Sequence, residues 1–287
     1  MRFFIADAFS EELFGGNPAG VVVLEKEGKW LSEETMVKTA AELRYSETAF
    51  VMPLADGTFR TRYFTPAAEV DLCGHATIAT FTVLREAGLI GLGTYVNHTM
   101  AGDLEIRVSE TSVLMEMGAP EIKGEITSDE ELARLYGIMG LPDYHVHTKA
   151  LYPKMVSTGL PDIMMPVADE AALDAITPDF PALTQLSKDY NVVGVHAFCQ
   201  AKEENITAHA RNFAPLYDID EEAATGTSNG ALTYYLRSFD LLAAKDEACI
   251  VQGEKMGRPS VIRTSIDGEK IMVGGSAVIL AEGNINL

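Results

Sequence analysis

A small set of residues in this 287-residue chain has the types and neighbours that proton transfer needs. Glu47 stands between Tyr45-Ser46 and the apolar run Ala49-Phe50-Val51, so its carboxylate sits where the chain enters a buried strand. Desolvation there suits a general acid or base, although a rim carboxylate paired with Arg44 fits the same spacing. His75 directly follows Gly74 at the start of an apolar run of helical character. A helix N-terminus discourages protonation of an imidazole, which can then hold or pass a proton in its neutral form; a capping or core histidine is the plain alternative. Asp71, four positions earlier, can orient His75 or stand as an exposed loop aspartate. Cys73 gains acidity from the same dipole or serves as a small core residue. Further on, Asp220, Glu221 and Glu222 crowd together, and of these Glu222 is the best candidate for a second proton carrier, the alternative being a solvated acidic loop.

These residues recur in a pattern. Arg62, Phe64 and Pro66 lead to Cys73-Gly74-His75-Ala76, and Arg211, Phe213 and Pro215 lead to Thr225-Gly226-Thr227-Ser228. Met100 before Gly102-Asp103 and Met256 before Arg258-Pro259 extend the match, at an offset that grows along the chain as loop insertion would make it. The chain therefore reads as two copies of one unit, each opening an apolar helix at a glycine turn. Backbone amides at Gly74, His75, Gly226 and Thr227 then form two helix starts, a pair of anion sites that can face a common cleft. No GxGxxG, Walker loop, HExxH or GxSxG occurs, so nothing signals a nucleotide, a metal or a serine nucleophile.

The elements that must hold these groups follow from periodicity and turn residues. Residues 3–9 and 21–24 read as strands around a reversal at Phe14-Gly15-Gly16-Asn17-Pro18-Ala19-Gly20. Ser32, with Glu33 and Glu34 behind it, caps a helix ending near Leu43. Residues 47–53 and 58–64 pair around Asp56-Gly57. Residues 75–88 and 228–236 are apolar almost all round, the mark of helices enclosed by protein. Short strands follow each, and 129–139 reads as a helix. The fold class is α+β, each half a curled, mostly antiparallel sheet wrapped around its own apolar helix. The halves are 1–118 and 119–287, with residues 120–126 as the crossing, and the last strand can return to the first half.

Composition narrows the partners. With 47% hydrophobic residues the chain can fill two ordinary cores. Lysine and arginine total 22 against 42 aspartate and glutamate, a formal charge of −20 that repels nucleic acid and anionic lipid. The opening residues lack a secretory pattern and no run approaches a membrane span, so a cytoplasmic location is expected. Cys73, Cys199 and Cys249 are scattered and form no metal or redox pair; no structural zinc is expected.

Taken in order, several short stretches resemble the PhzF family, named for a phenazine biosynthesis enzyme, and through it the diaminopimelate epimerase fold. They are residues 9–20 with Gly16-Asn17-Pro18, Ser46-Glu47-Thr48, residues 64–77, Ser157-Thr158-Gly159-Leu160-Pro161, Ala224-Thr225-Gly226, and Gln252-Gly253 through Ser260. The resemblance implies two pseudo-twofold-related, barrel-like halves, a homodimer, no cofactor, and a small anionic carboxylate bound between the halves. It implies an isomerase that relocates a proton, as PhzF proper does on a dihydro-hydroxyanthranilate. On this resemblance Glu47 is the catalytic glutamate, His75 its companion, and Gly74, Gly226 and Thr227 the helix-end donors, with Asn17, Asp71 and Cys73 completing the substrate-binding set. Where the family carries an aspartate, usually followed by proline, this chain has Glu222-Ala223. Epimerase relatives use one thiol in each half, at positions held here by Cys73 and Thr225; a threonine hydroxyl is no thiolate, which leaves a one-thiol epimerase using Cys73 as the alternative. A carboxylate binder without chemistry is the other.

Overall fold

The computed structural model describes residues 1–25, 27–142, 151–242 and 246–287. Its contacts divide the chain into two compact units, Met1–Glu116 with Gly274–Leu287, and Met117–Val273.

In the first unit, β1 (Arg2–Ala8) lies between β2 (Asn17–Val23) and β18 (Ala277–Asn284), antiparallel to both. Strand β2 runs parallel to β3 (Thr48–Pro53), which forms a hairpin with β4 (Phe59–Phe64). Beyond β4 come the short β5 (Glu69–Val70) and, parallel to β4, β6 (Gly93–Thr99), followed by the antiparallel β7 (Gly102–Val108) and β8 (Val113–Glu116). Helix α1 (Glu33–Leu43) makes the β2 to β3 crossover, and Phe50, Phe64 and Met36 share a small core with it. Helix α2 (Gly74–Glu86) packs against β1, β2, β3, β7, β8 and β18, so the sheet curls around it. Every residue of α2 from His75 to Leu84 is buried, as its all-round apolar sequence requires.

The second unit repeats the plan. Strand β10 (Lys154–Ser157) lies between β9 (Glu121–Glu125) and β11 (Pro161–Pro166), antiparallel to both; β11 runs parallel to β12 (Val195–Gln200), and β12 pairs antiparallel with β13 (Ala208–Ala214). The short β14 (Ile219–Glu222) pairs with β13, which also runs parallel to β15 (Glu247–Gln252); β16 (Ser260–Asp267) pairs antiparallel with β15, and β17 (Lys270–Gly275) follows in the chain. Helix α6 (Gly226–Arg237) packs on β10, β11, β15 and β16. Parallel joints fall at the same two places in both units, and the strand flanking the first of each set is antiparallel in both. Three further helices, α3 (Asp129–Ile138), α4 (Glu170–Ala175) and α5 (Phe180–Tyr190), cover a separate apolar core with Tyr136, Leu183, Leu186 and Phe213.

Two sequence expectations change. Residues 120–126, read as a crossing, contain strand β9, which pairs with β10; four of its five residues are exposed, so no apolar alternation announces it. The strand expected over 21–24 begins at Asn17, because the reversal is made earlier, by Phe9, Phe14 and Gly16 at φ of 64°, 70° and 62°. At Gly16 a Cβ would also lie 2.1 Å from the Ala8 carbonyl oxygen, so any side chain there forces the backbone to shift.

Candidate active site

The duplicated Arg-x-Phe motif has a structural meaning. Arg62 forks onto Glu69 through Nε (2.6 Å to Oε1) and Nη2 (2.5 Å to Oε2), with its guanidinium 5.2 Å above the Phe64 ring. Arg211 repeats this on Glu221 through two bonds of 2.9 Å, at 4.9 Å from the Phe213 ring. Each pair fastens the short strand, β5 or β14, that delivers the chain to its buried helix. Glu221 is paired with Arg211, Asp220 is exposed and Glu222 accepts from the Thr225 hydroxyl, so the three neighbouring carboxylates have different surroundings.

Helix starts divide into two kinds. Ser32, Ser128, Asp169 and Asp179 each cap their helix with a side-chain oxygen. The N-cap residues of α2 and α6, Cys73 and Thr225, supply none. First-turn amides have no partner within their own helix, so at Gly74-His75 and Gly226-Thr227 they are left for an outside acceptor.

In the first unit four side chains converge on His75, which is 4% exposed. Asn17 Nδ2 donates to Nδ1 at 3.2 Å, which leaves the ring proton on Nε2. Nε2 lies 3.4 Å from Ser46 Oγ and 3.3 Å from Glu47 Oε2. Burial holds the imidazole below its ordinary titration range, partly opposed by the Glu47 charge, so it is neutral at pH 7. Glu47 Oε2 is buried and has no hydrogen-bond partner. A carboxylate oxygen in that state keeps its lone pairs for an incoming proton. Cys73 Sγ lies 3.4 Å from Nδ1 and 3.8 Å from Nε2. Such similar distances place the sulfur against the face of the ring and not in line with either nitrogen.

In the second unit, Thr225 Oγ1 donates to Glu222 Oε2 at 2.7 Å, directly before the α6 amides. The structure thus brings Glu47, His75, Asn17, Cys73 and Gly74 together in the first unit, and Glu222, Gly226 and Thr227 in the second. Asp71 is exposed, and its carbonyl accepts from the Ala101 amide. Ser46 at this ring was not singled out from the sequence, where a serine beside a glutamate carries no signal.

Among the described residues, side chains that could hold a metal gather twice. The ligand atoms of Glu47, Cys73 and His75 lie within 4.8 Å of one another, as do those of Glu170, Glu203 and His209. A sulfur on the face of His75 cannot share a metal bound in the plane of that ring. Burial disfavours charge on His209, but Glu254 at 2.7 Å and Glu203 at 3.4 Å outweigh it and raise its proton affinity, so the second group is a histidine engaged by two carboxylates. Among the described residues, no helix is long and apolar enough to cross a membrane.

Curled sheets, each around an enclosed helix, have the architecture of the epimerase-like folds. The hydroxyproline epimerase of Agrobacterium vitis superposes with a TM-score of 0.60 over 99% of this chain and 91% of that one, at 11% identity, a likeness of fold alone. The family profile described as PhzC-PhzF, phenazine biosynthesis-like protein, matches residues 6–283, and the chain belongs to that family. A PhzF-family crystal structure from Bacillus anthracis superposes with a TM-score of 0.84 at 30% identity, covering 100% of this chain and 99% of that one. An uncharacterized isomerase of Deinococcus radiodurans is 33% identical over 98% of this chain and 94% of its own length. The uncharacterized isomerase YddE of Escherichia coli is 32% identical over 97% and 96%. The protein is thus isomerase-like within the PhzF family.

Proposed function

We propose that this protein is a cofactor-independent isomerase that relocates a proton on a small cyclic or amino carboxylate, with Glu47 as general acid and base. The observation that carries the reading is the buried, unbonded Glu47 Oε2 at 3.3 Å from a neutral imidazole. In the forward step the Glu47 carboxylate takes a proton from carbon. The electron pair left behind spreads toward the substrate carboxylate, whose charge the uncapped helix-end amides stabilise. The Glu47 acid then returns the proton to a different carbon. His75, fixed by Asn17 with its Nε2 proton toward Ser46 Oγ, stands 3.3 Å from Glu47 as a neutral neighbour and leaves the carboxylate free to take the proton. Glu222 is the second proton carrier of this reading, with the Gly226 and Thr227 amides beside it, and the molecule works as a homodimer in the cytoplasm.

A thermal-shift screen of cyclic and amino carboxylic acids, followed by solvent deuterium incorporation into each stabilising acid, tests it. Glu47→Gln should reduce incorporation by about 100-fold to 10,000-fold while the acid still stabilises the protein. Undiminished exchange in that variant sinks the assignment. A one-thiol epimerase using Cys73 is the second reading, favoured by the buried thiol against the His75 ring. It requires Cys73→Ser to be inactive. A binder without chemistry predicts stabilisation and no exchange.

A further inference from the structure

The second unit contains a hydrogen-bonded network whose donors and acceptors run in one consistent sense. Asn212, 2% exposed, donates through Nδ2 to Ser228 Oγ and to His196 Nδ1, both at 3.2 Å. Ser228 passes its own proton toward the Asp162 carboxylate. His196, whose Nδ1 is thereby an acceptor, presents its Nε2 proton to Asn229 Oδ1 at 3.3 Å. Asn229 Nδ2 donates to Gln252 Oε1 at 2.6 Å and to the Thr225 carbonyl at 2.9 Å. Gln252 Nε2 donates to the Glu222 carbonyl at 2.7 Å and to Thr225 Oγ1 at 3.1 Å, and Thr225 Oγ1 donates to Glu222 Oε2 at 2.7 Å. Two polarised arms therefore leave Asn212 and end on two carboxylates, Asp162 and Glu222.

Gln252 is the turning point. It is fully buried, and its oxygen also accepts the Thr225 amide at 3.2 Å, so both ends of the side chain are saturated. With the Gln252 amide occupying a lone pair of Thr225 Oγ1, the hydroxyl proton has one strong acceptor, Glu222. We propose that Gln252 is a positioning residue that locks the Thr225 hydroxyl as a donor to Glu222, fixing the carboxylate at the start of α6 and removing Thr225 from proton chemistry. The proposal rests on the reading of Glu222 as second proton carrier only for its catalytic consequence; the hydrogen-bond geometry stands without it. The duplication supports a role peculiar to this unit. By register, Ala208 to Ile250 in the second unit corresponds to Phe59 to Asn97 in the first, which makes Thr99 the counterpart of Gln252 in the repeat. Thr99 Oγ1 instead donates to the Gly102 carbonyl within its own turn, at 2.8 Å. Gln252 also engages the Thr225 amide and leaves those of Gly226 and Thr227 as the helix-end donors.

The test follows the Glu222 side-chain carbon by NMR in protein labelled at glutamate carboxyls, titrated without any ligand. In Gln252→Met, which keeps the volume but loses all four bonds, and in Thr225→Val, Glu222 should take up its proton at higher pH than in the parent, by on the order of one pH unit. A shift in Thr225→Val with none in a folded Gln252→Met overturns the role of Gln252. In the unmodified protein, which answers even where a variant fails to fold, the Gln252 side-chain amide resonances should resist solvent exchange and move with the Glu222 titration; rapid exchange overturns the proposal. Gln252→Glu supplies a further readout. When protonated it can still donate to Thr225, but when ionised it draws the Thr225 proton away from Glu222, so Glu222 should show a second, coupled inflection absent from the parent. If all these shifts appear and Glu222→Gln keeps full deuterium exchange, the positioning stands and the catalytic role of Glu222 falls.

Discussion

Replacing Asp162 by Asn should change how stability depends on pH, by an amount the structure sets. Asp162 is 2% exposed, accepts a hydrogen bond from Ser228 through Oδ2, and has no hydrogen bond at Oδ1. Burial pushes its carboxyl up from 3.8 to about 6, eased by Ser228, the Gly194 amide and Asn212. A carboxyl raised in the folded state stabilises the protein fully below its unfolded value and loses that contribution as pH rises through the folded one. The window therefore runs from 3.8 to about 6. Two units at about 1.4 kcal/mol each make the ionised group cost about 3 kcal/mol at pH 8. His196, driven down to about 4 by burial and partly restored by Asn229, works in the opposite sense. Its contribution is present above 6.5 and is lost as pH falls through about 4, so the two residues largely cancel in the parent. The amide that replaces the carboxyl in the variant carries no charge, keeps an oxygen for Ser228, and unmasks His196. Urea denaturation of both proteins at intervals from about pH 4 to pH 8, extrapolated linearly, measures the difference. The stability of Asp162→Asn relative to the parent should improve by about 2–3 kcal/mol across that range, whatever fixed penalty its amide adds. A difference that stays constant over the range would refute the burial argument.

Three further outcomes follow from particular contacts. Gly194→Ala would set a Cβ 1.8 Å from the Phe213 carbonyl oxygen, so it should lower stability by about 3 kcal/mol or more, whereas Gly137→Ala, with nothing within 4 Å on an exposed helix face, should raise it by about 0.5–1 kcal/mol; urea midpoints decide both. Cys73→Ser should retain deuterium exchange within about 10-fold of the parent, since its sulfur faces the ring and not a nitrogen lone pair; loss beyond about 100-fold would favour the thiol reading. Gly16→Ala should disturb the reversal that delivers Asn17 to His75, so the His75 ring signals in NMR should shift even in molecules that remain folded.

Much of this was legible in the residues. Unbroken apolar composition marked α2 and α6 as enclosed helices, and the repeated Arg-x-Phe and glycine words marked the duplication. Ser32 announced its helix because a cap is a local interaction between a side chain and an amide three residues on. Strand β9 was not legible, since its residues face outward and carry no alternation. The forked pairs of Arg62 with Glu69 and Arg211 with Glu221 were hidden in plain view, each joining two strands at a register that only the folded sheet defines.

The sequence by itself determined the paired units, the residues that can carry protons and the family, because those depend on composition, local order and short spacing. Tertiary structure decided which groups meet: Asn17 with His75 across 58 positions, Ser228 with Asp162 across 66, and Gln252 with Thr225 across 27. It also decided their protonation, by burying His75, His196 and Asp162. Desolvation and hydrogen-bond direction are properties of what surrounds a side chain, and chain order does not carry them.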